Sequence, residues 1–213
     1  MNFSERIASL KRDLCENMDA PTMAIFQRAT VELRKSGILQ QCLQVGETAP
    51  DFTFTDSNQV TSSLYSLLEK SPVLINFFRG FWCNFCKTEL DAYAEIQTAL
   101  EKSGIHCLHI SPNRINNNEL PTALTAKASV IHDVDNQIAH QFGIVYALND
   151  QLKTLFSSWK MCLTDLHQSE QWELPIPASY IIDQNRKAIF CYAEADYTKR
   201  IDPTELLEFN KSL

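Results

Sequence analysis

Two cysteines, Cys83 and Cys86, stand two residues apart behind an aromatic cluster in "FFRGFWCNFCKTEL", residues 77–90. That spacing admits a redox couple, half of a metal site, or two unreactive thiols. A Cys-x-x-Cys where a buried strand hands over to a helix is a redox signal, because the helix start offers unpaired N–H groups and a positive dipole end that stabilise a thiolate. The second sulfur can then displace whatever the first has bound, leaving an internal disulfide. Trp82 would wall the pair, and the cation of Arg79 would favour the thiolate further. A metal site needs two more ligands, and the nearest are His106 and His109 in "HCLH". In a strand, an offset of three sends those rings to opposite faces, which argues against zinc. Two inert thiols stay open.

The other candidates carry plainer readings. Seven cysteines cannot all pair within one chain, which fits a reducing compartment with mostly free thiols. Cys107 and Cys191 fall in expected strands as small buried hydrophobes, and Cys15 and Cys42 read as filler in a helical extension. Cys162 lies in an irregular stretch that could fold over the site and resolve a reaction there. His132 reads as a solvated strand end before a proton carrier. Glu89, one turn after Cys86, reads as a solvated helix face before a proton acceptor. Trp159 and Trp172 read as core or cover.

The elements that must position the pair follow from periodicity. Phe3, Ile7, Leu10, Leu14 and Met18 form one helical face, and a second helix runs from Pro21 to near Gly37 with Met23, Phe26, Thr30 and Leu33 inward. "SPVLINFF" reads as a strand buried on both faces, and the helix after the cysteines carries Cys86, Leu90, Ala94, Gln97 and Leu100 as a stripe ended by Gly104. "IHCLHI" and "SVIHDV" are further strands, separated by a helix-like stretch at Leu120 to Lys127. "DNQIAHQFG" is a short helix from Asp135 to Gly143, and residues 144–173 look less regular. "ASYIID" and "AIFCYA" form a hairpin, and Asp202, Pro203 and Glu205 start a closing helix. The fold class is α/β: a mixed central sheet covered by helices, with residues 1–44 as a helical extension and 45–213 as the main domain.

Composition bounds the function. A net charge of −7 argues against a nucleic-acid surface. No apolar run has the ~18 residues of a membrane helix, and the first residues lack a signal-peptide core, so a cytoplasmic protein with no membrane partner is expected.

The cysteine motif, with "VGETAPDF" before it and "LPIPASYIIDQNRKAIF" after it, resembles the peroxiredoxin-like branch of the alkyl hydroperoxide reductase/thiol-specific antioxidant family. The similarity covers most of the chain, including "EADYTKRIDPTELL", and implies a thioredoxin-like fold. In the family's Pro-x-x-x-Thr-x-x-Cys frame, Arg79 takes the proline position, Cys83 the threonine and Cys86 the attacking cysteine. In a thioredoxin frame Cys83 attacks and Cys86 resolves, so the roles stay exchangeable. Peroxide chemistry favours Cys86, and exposure favours Cys83. The arginine expected before the late strand is replaced by Pro177, which resembles the cis-proline of thioredoxins; with Ile176 and Trp82 it would bind substrate. Only Asn76 stands where thioredoxins bury an acid, and Asn84 stands where a proline would lock the helix start.

The resemblance implies a thiol peroxidase that reduces hydroperoxides through a dithiol–disulfide cycle, restored by a thioredoxin-like or low-molecular-weight thiol, without metal or organic cofactor. A homodimer stays open, since the helical extension could pack on a second subunit. The alternatives are a thioredoxin-like disulfide reductase with little peroxidase activity and a redox-inert binding module on the same scaffold.

Overall fold

The computed structural model describes residues 1–210. Two long helices, α1 (Phe3–Asn17) and α2 (Ala20–Lys35), lead into a single-turn α3 (Ile38–Gln41). Asn2 and Glu5 form a reciprocal cap at the start of α1, and the Asp19 side chain accepts from the Thr22 amide at the start of α2. Then come β1 (Thr53–Thr55), β2 (Thr61–Ser63), α4 (Leu64–Leu68), β3 (Val73–Phe77), α5 (Asn84–Lys102) and β4 (His106–Ser111). The chain continues through α6 (Thr122–Lys127), β5 (Ser129–His132), α7 (Gln137–Gln141), β6 (Val145–Ala147), α8 (Asp150–Ser158) and α9 (Leu163–His167). It closes with β7 (Glu173–Pro175), β8 (Ala178–Ile182), β9 (Ala188–Ala193) and α10 (Pro203–Asn210). The last three residues of the expected terminal helix lie outside the described residues.

The main sheet has the order β5-β4-β3-β8-β9. Strands β3, β4 and β5 run parallel, and β8 and β9 complete the sheet antiparallel, as a mixed sheet requires. Every residue of β3 is fully buried, which explains why its sequence is apolar except at Asn76. One face packs Leu74, Cys107, Val130 and Ile181 against α1, α5, α6 and α10. The other packs Ile75, Phe77, Leu108 and Ile110 against α3, α4 and α7. His106 and His109 do face opposite ways: His106 meets the Ser129 hydroxyl, and His109 meets Asn76 and the Tyr93 ring.

Two expectations change. The stretch at 144–173 is ordered: Asn149 caps α8, and Leu148, Leu152, Phe156, Leu163 and Leu174 form a third apolar cluster against Phe26 of α2. Asn136 holds the N-cap position of α7 without a side-chain bond, and the Asp133 carboxylate accepts from the amides of Ile138 at 2.8 Å and Ala139 at 2.9 Å. Asp135 instead adopts a left-handed conformation at φ 57°, tolerated by Asp, and accepts from the Ser169 hydroxyl. Cys42 and Leu43 are buried in the main core, so the stretch after α3 is anchored there. At that anchor Gly143 has φ +68°, and a Cβ would lie 2.2 Å from the Gln41 carbonyl oxygen.

Candidate active site

Strand β3 delivers the chain to one end of the sheet, where residues 78–83 turn into α5. Gly80 makes the turn with φ +149°; a side chain there would meet Trp82 Nε1 at 2.4 Å and Asn113 Oδ1 at 2.6 Å. Cys83 then occupies the N-cap position of α5 and Cys86 its first turn. Both are free thiols, Cys83 5% exposed and Cys86 fully buried.

Two guanidinium groups converge on them. Arg79 is 3% exposed and lies over the Trp82 ring, 4.8 Å from its centroid, and over the Tyr197 ring at 4.5 Å. Among the described residues no carboxylate lies within ion-pair distance of it, and its Nε has no hydrogen-bond partner. Arg200, from the loop before α10, donates through Nη2 to Cys86 Sγ at 3.3 Å and pairs through Nη1 with the Glu89 carboxylate. Sequence reasoning missed Arg200 and expected Glu89 in solvent. Glu89 is 2% exposed, because its ion partner arrives from a distant loop.

These contacts separate the two thiols. The Cys86 side chain hydrogen-bonded to Cys83 holds the Cys83 thiol down to about 5; Arg79, Arg200 and the Cys86 amide add to this, against the cost of burial. Burial and the neighbouring Cys83 sulfur push Cys86 up, against the pull of Arg200. The charge of Arg200 is already offset by Glu89, whereas that of Arg79 is left for the cysteines. Of the two thiols, Cys83 is the one whose surroundings favour the thiolate. Burial raises the Glu89 carboxyl to about 7, against the opposing pull of Arg200.

The remaining expected site residues divide. Trp82 is half-buried and packs edge-on to Phe156 at 5.8 Å, walling the site on the α8 side. Pro177 is buried at the same end of the sheet, since Ala178 pairs with Phe77. Ile176 packs in the core cluster of Phe77 and Ile144, across the sheet from the cysteines. The expected cis bond before Pro177 is absent, and no cis peptide occurs among the described residues. The chain runs extended there from β7 into β8: Ile176 N–H donates to the Ile144 carbonyl and the Pro177 carbonyl accepts from Glu194 N–H, which a trans bond permits. Cys162 is the N-cap of α9 and its sulfur meets the Thr164 hydroxyl at 3.0 Å. His132 turns Nε2 to the His167 carbonyl. Trp159 stacks on Phe26 at 5.9 Å, and Trp172 packs partly buried on the third cluster.

The fold that carries the cysteines, a mixed five-stranded sheet covered by helices, is matched by known proteins. The model of the AhpC/TSA family matches residues 45–189. The chain belongs to the AhpC/TSA family. Peroxidoxin BcpB of Mycobacterium tuberculosis superposes with a TM-score of 0.59 at 16% identity, over 80% of this chain and 98% of that one. A cysteine-to-serine mutant of the peroxiredoxin 6 of Arenicola marina gives a TM-score of 0.61 at 16% identity, over 80% and 73% of the two chains. A chain described as a putative thiol:disulfide interchange protein DsbE, from Chlorobium tepidum, gives 0.50 at 17% identity, over 80% and 96%. At these identities the likeness concerns the fold, which is thioredoxin-like. None of the curated protein sequences compared with the chain matches it. Arg200 and the whole of α1 to α3 lie outside the matched segment. No helix among the described residues is long and apolar enough to cross a membrane.

Proposed function

We propose that the protein is a thiol peroxidase that reduces small hydroperoxides through the Cys83–Cys86 pair. The observation that carries this reading is a thiolate-favouring Cys83 beside two buried guanidinium groups, under a cover that leaves it 5% exposed. A small peroxide reaches such a sulfur with the cover closed, whereas a folded protein partner reaches it only when the cover opens. The Cys83 thiolate attacks one peroxide oxygen, an S–O bond forms, the O–O bond breaks, and the departing alkoxide takes up one proton. Arg79 and Arg200 stand where negative charge develops. Cys86, now the attacking sulfur, displaces hydroxide from the Cys83 sulfenic acid, and the disulfide and water result. A thioredoxin-like or low-molecular-weight dithiol restores the pair. Family membership supports the redox class, and the free thiols fit a reducing compartment.

One equivalent of hydroperoxide should consume both thiols and yield one equivalent of alcohol, with little insulin disulfide reduction in a parallel assay. Unchanged thiols after peroxide would refute the reading. The Arg200–Cys86 hydrogen bond favours a second assignment, in which Cys86 attacks. A sulfenic-acid trap separates the two: Cys86→Ser should trap one adduct at residue 83, and Cys83→Ser none at residue 86. The opposite pattern makes Cys86 the nucleophile.

A further inference from the structure

Arg79 borders a small cavity that the reaction above does not use. The cavity measures about 20 Å³ and is lined by Arg79, Tyr146, Tyr197, Thr30 and mostly apolar side chains of α2 and α8, among them Ala29, Leu152 and Phe156. That is room for one water-sized guest and too little for an organic substrate. A buried guanidinium costs several kcal/mol unless an opposite charge faces it. Among the described residues no carboxylate pairs with Arg79, and its Nε is unpartnered. His167, which also feels the Arg79 charge, is held neutral by burial. The sulfur pair is thus the counter-charge that the site supplies. A dithiol pair carrying one negative charge becomes neutral as a disulfide, and Arg79 is then left uncompensated.

We propose that the cavity beside Arg79 takes up one small monovalent anion of the chloride class when Cys83 and Cys86 are joined as a disulfide. The guanidinium supplies the charge, the two tyrosines line the seat, and the apolar walls exclude bulky or strongly hydrated anions. In the dithiol form the sulfur's own charge makes the anion unwelcome. The two ligation states therefore alternate with the redox state, and small anions favour the oxidised enzyme. This inference rests on the redox reading of the pair.

The test is the thiol–disulfide equilibrium of the full chain at pH 7 against a dithiothreitol buffer. Chloride is varied as the sodium salt, with gluconate holding ionic strength constant. The disulfide-to-dithiol ratio should rise with chloride, approaching tenfold per tenfold chloride near saturation, about 30 mV for a two-electron couple. Arg79→Met should flatten the dependence. Ala29→Leu, which fills the cavity from the loosely packed α2 and leaves Arg79 in place, should flatten it too. A chloride-independent ratio in the native protein overturns the proposal and leaves the redox reading standing, as does a rise that persists in both variants. If no Cys83–Cys86 disulfide forms at any chloride concentration, the redox reading fails and takes this proposal with it.

Discussion

The two guanidinium groups at the cysteine pair are not equivalent, and the difference sets how the site should respond to pH. Arg200 spends its charge on Glu89 as well as on Cys86, whereas Arg79 lies between two aromatic rings, with the Tyr146 hydroxyl and the cysteine sulfurs to face and, among the described residues, no carboxylate. Alkylation of Cys83 should therefore rise with pH around a midpoint near 5, where its thiol is held. Removing the cation in Arg79→Met should raise that midpoint by roughly 1–3 units, read as the rate of modification at residue 83 by mass spectrometry. An unchanged midpoint would mean that Cys86, Arg200 and the helix start hold the thiolate without Arg79. The folded-state value lies below the ordinary value of about 8.5, so the thiolate stabilises the fold fully above that pH. The contribution fades as pH falls toward about 5.

The turn from β3 into α5 shows what the sequence reveals at the scale of an element. The apolar run before Cys83 and the stripe after it announce strand and helix, because each pattern is local. The motif's spacing also picks out the two cysteines that the start of α5 brings together. Arg200 was not legible: its pairing with Glu89 spans most of the domain, and no local periodicity marks a charged loop residue. Nor does the composition of 144–173 announce the order found there, although Asn149 three residues before Leu152, with Phe156 one turn on, is a cap followed by an apolar face. The trans bond at Pro177 shows the converse, since a familiar-looking loop sequence did not carry its backbone geometry with it. Gly80 gives the element its sharpest test. Gly80→Ala puts a methyl group into Trp82 and Asn113 at a φ that L residues avoid, and should cost about 1–3 kcal/mol in chemical denaturation. It should also shift Trp82 fluorescence, because the indole must move off Arg79. A variant with native stability and fluorescence would show that the turn has room to relax.

At the scale of the whole molecule, Phe3 and Ile7 of α1 pack in the apolar cluster of the two cysteines, and Phe26 of α2 packs with Trp82 on the α8 cluster, so the proposed cycle needs two kinds of access. On the proposed reading, peroxide is small enough for the closed form, but a protein reductant would have to reach a disulfide at sulfurs that are almost wholly covered. Helix α2 is the element suited to yield, because none of its residues is buried. It is held by Phe26, which meets Phe156, Trp159 and Tyr197, and by the Arg34–Glu194 ion pair at 2.9 Å. The exposed ion pair contributes about 0.2–1 kcal/mol, and the Trp159 stacking about 0.5–1.5 kcal/mol. Arg34→Gln combined with Trp159→Ala should therefore favour opening by about 1–2 kcal/mol, a factor of roughly 5–30 in the open population. Reduction of the disulfide by a protein dithiol should accelerate by that factor, while oxidation by hydrogen peroxide changes less than about twofold. Reduction by a small phosphine, which does not need the cover to move as far, should change little. Rapid-mixing fluorescence of the oxidised protein with each reductant, and of the reduced protein with peroxide, reads all three rates. Equal acceleration by both reductants would place the barrier at the sulfur atoms, and no acceleration by either would show that α2 is not the cover that moves.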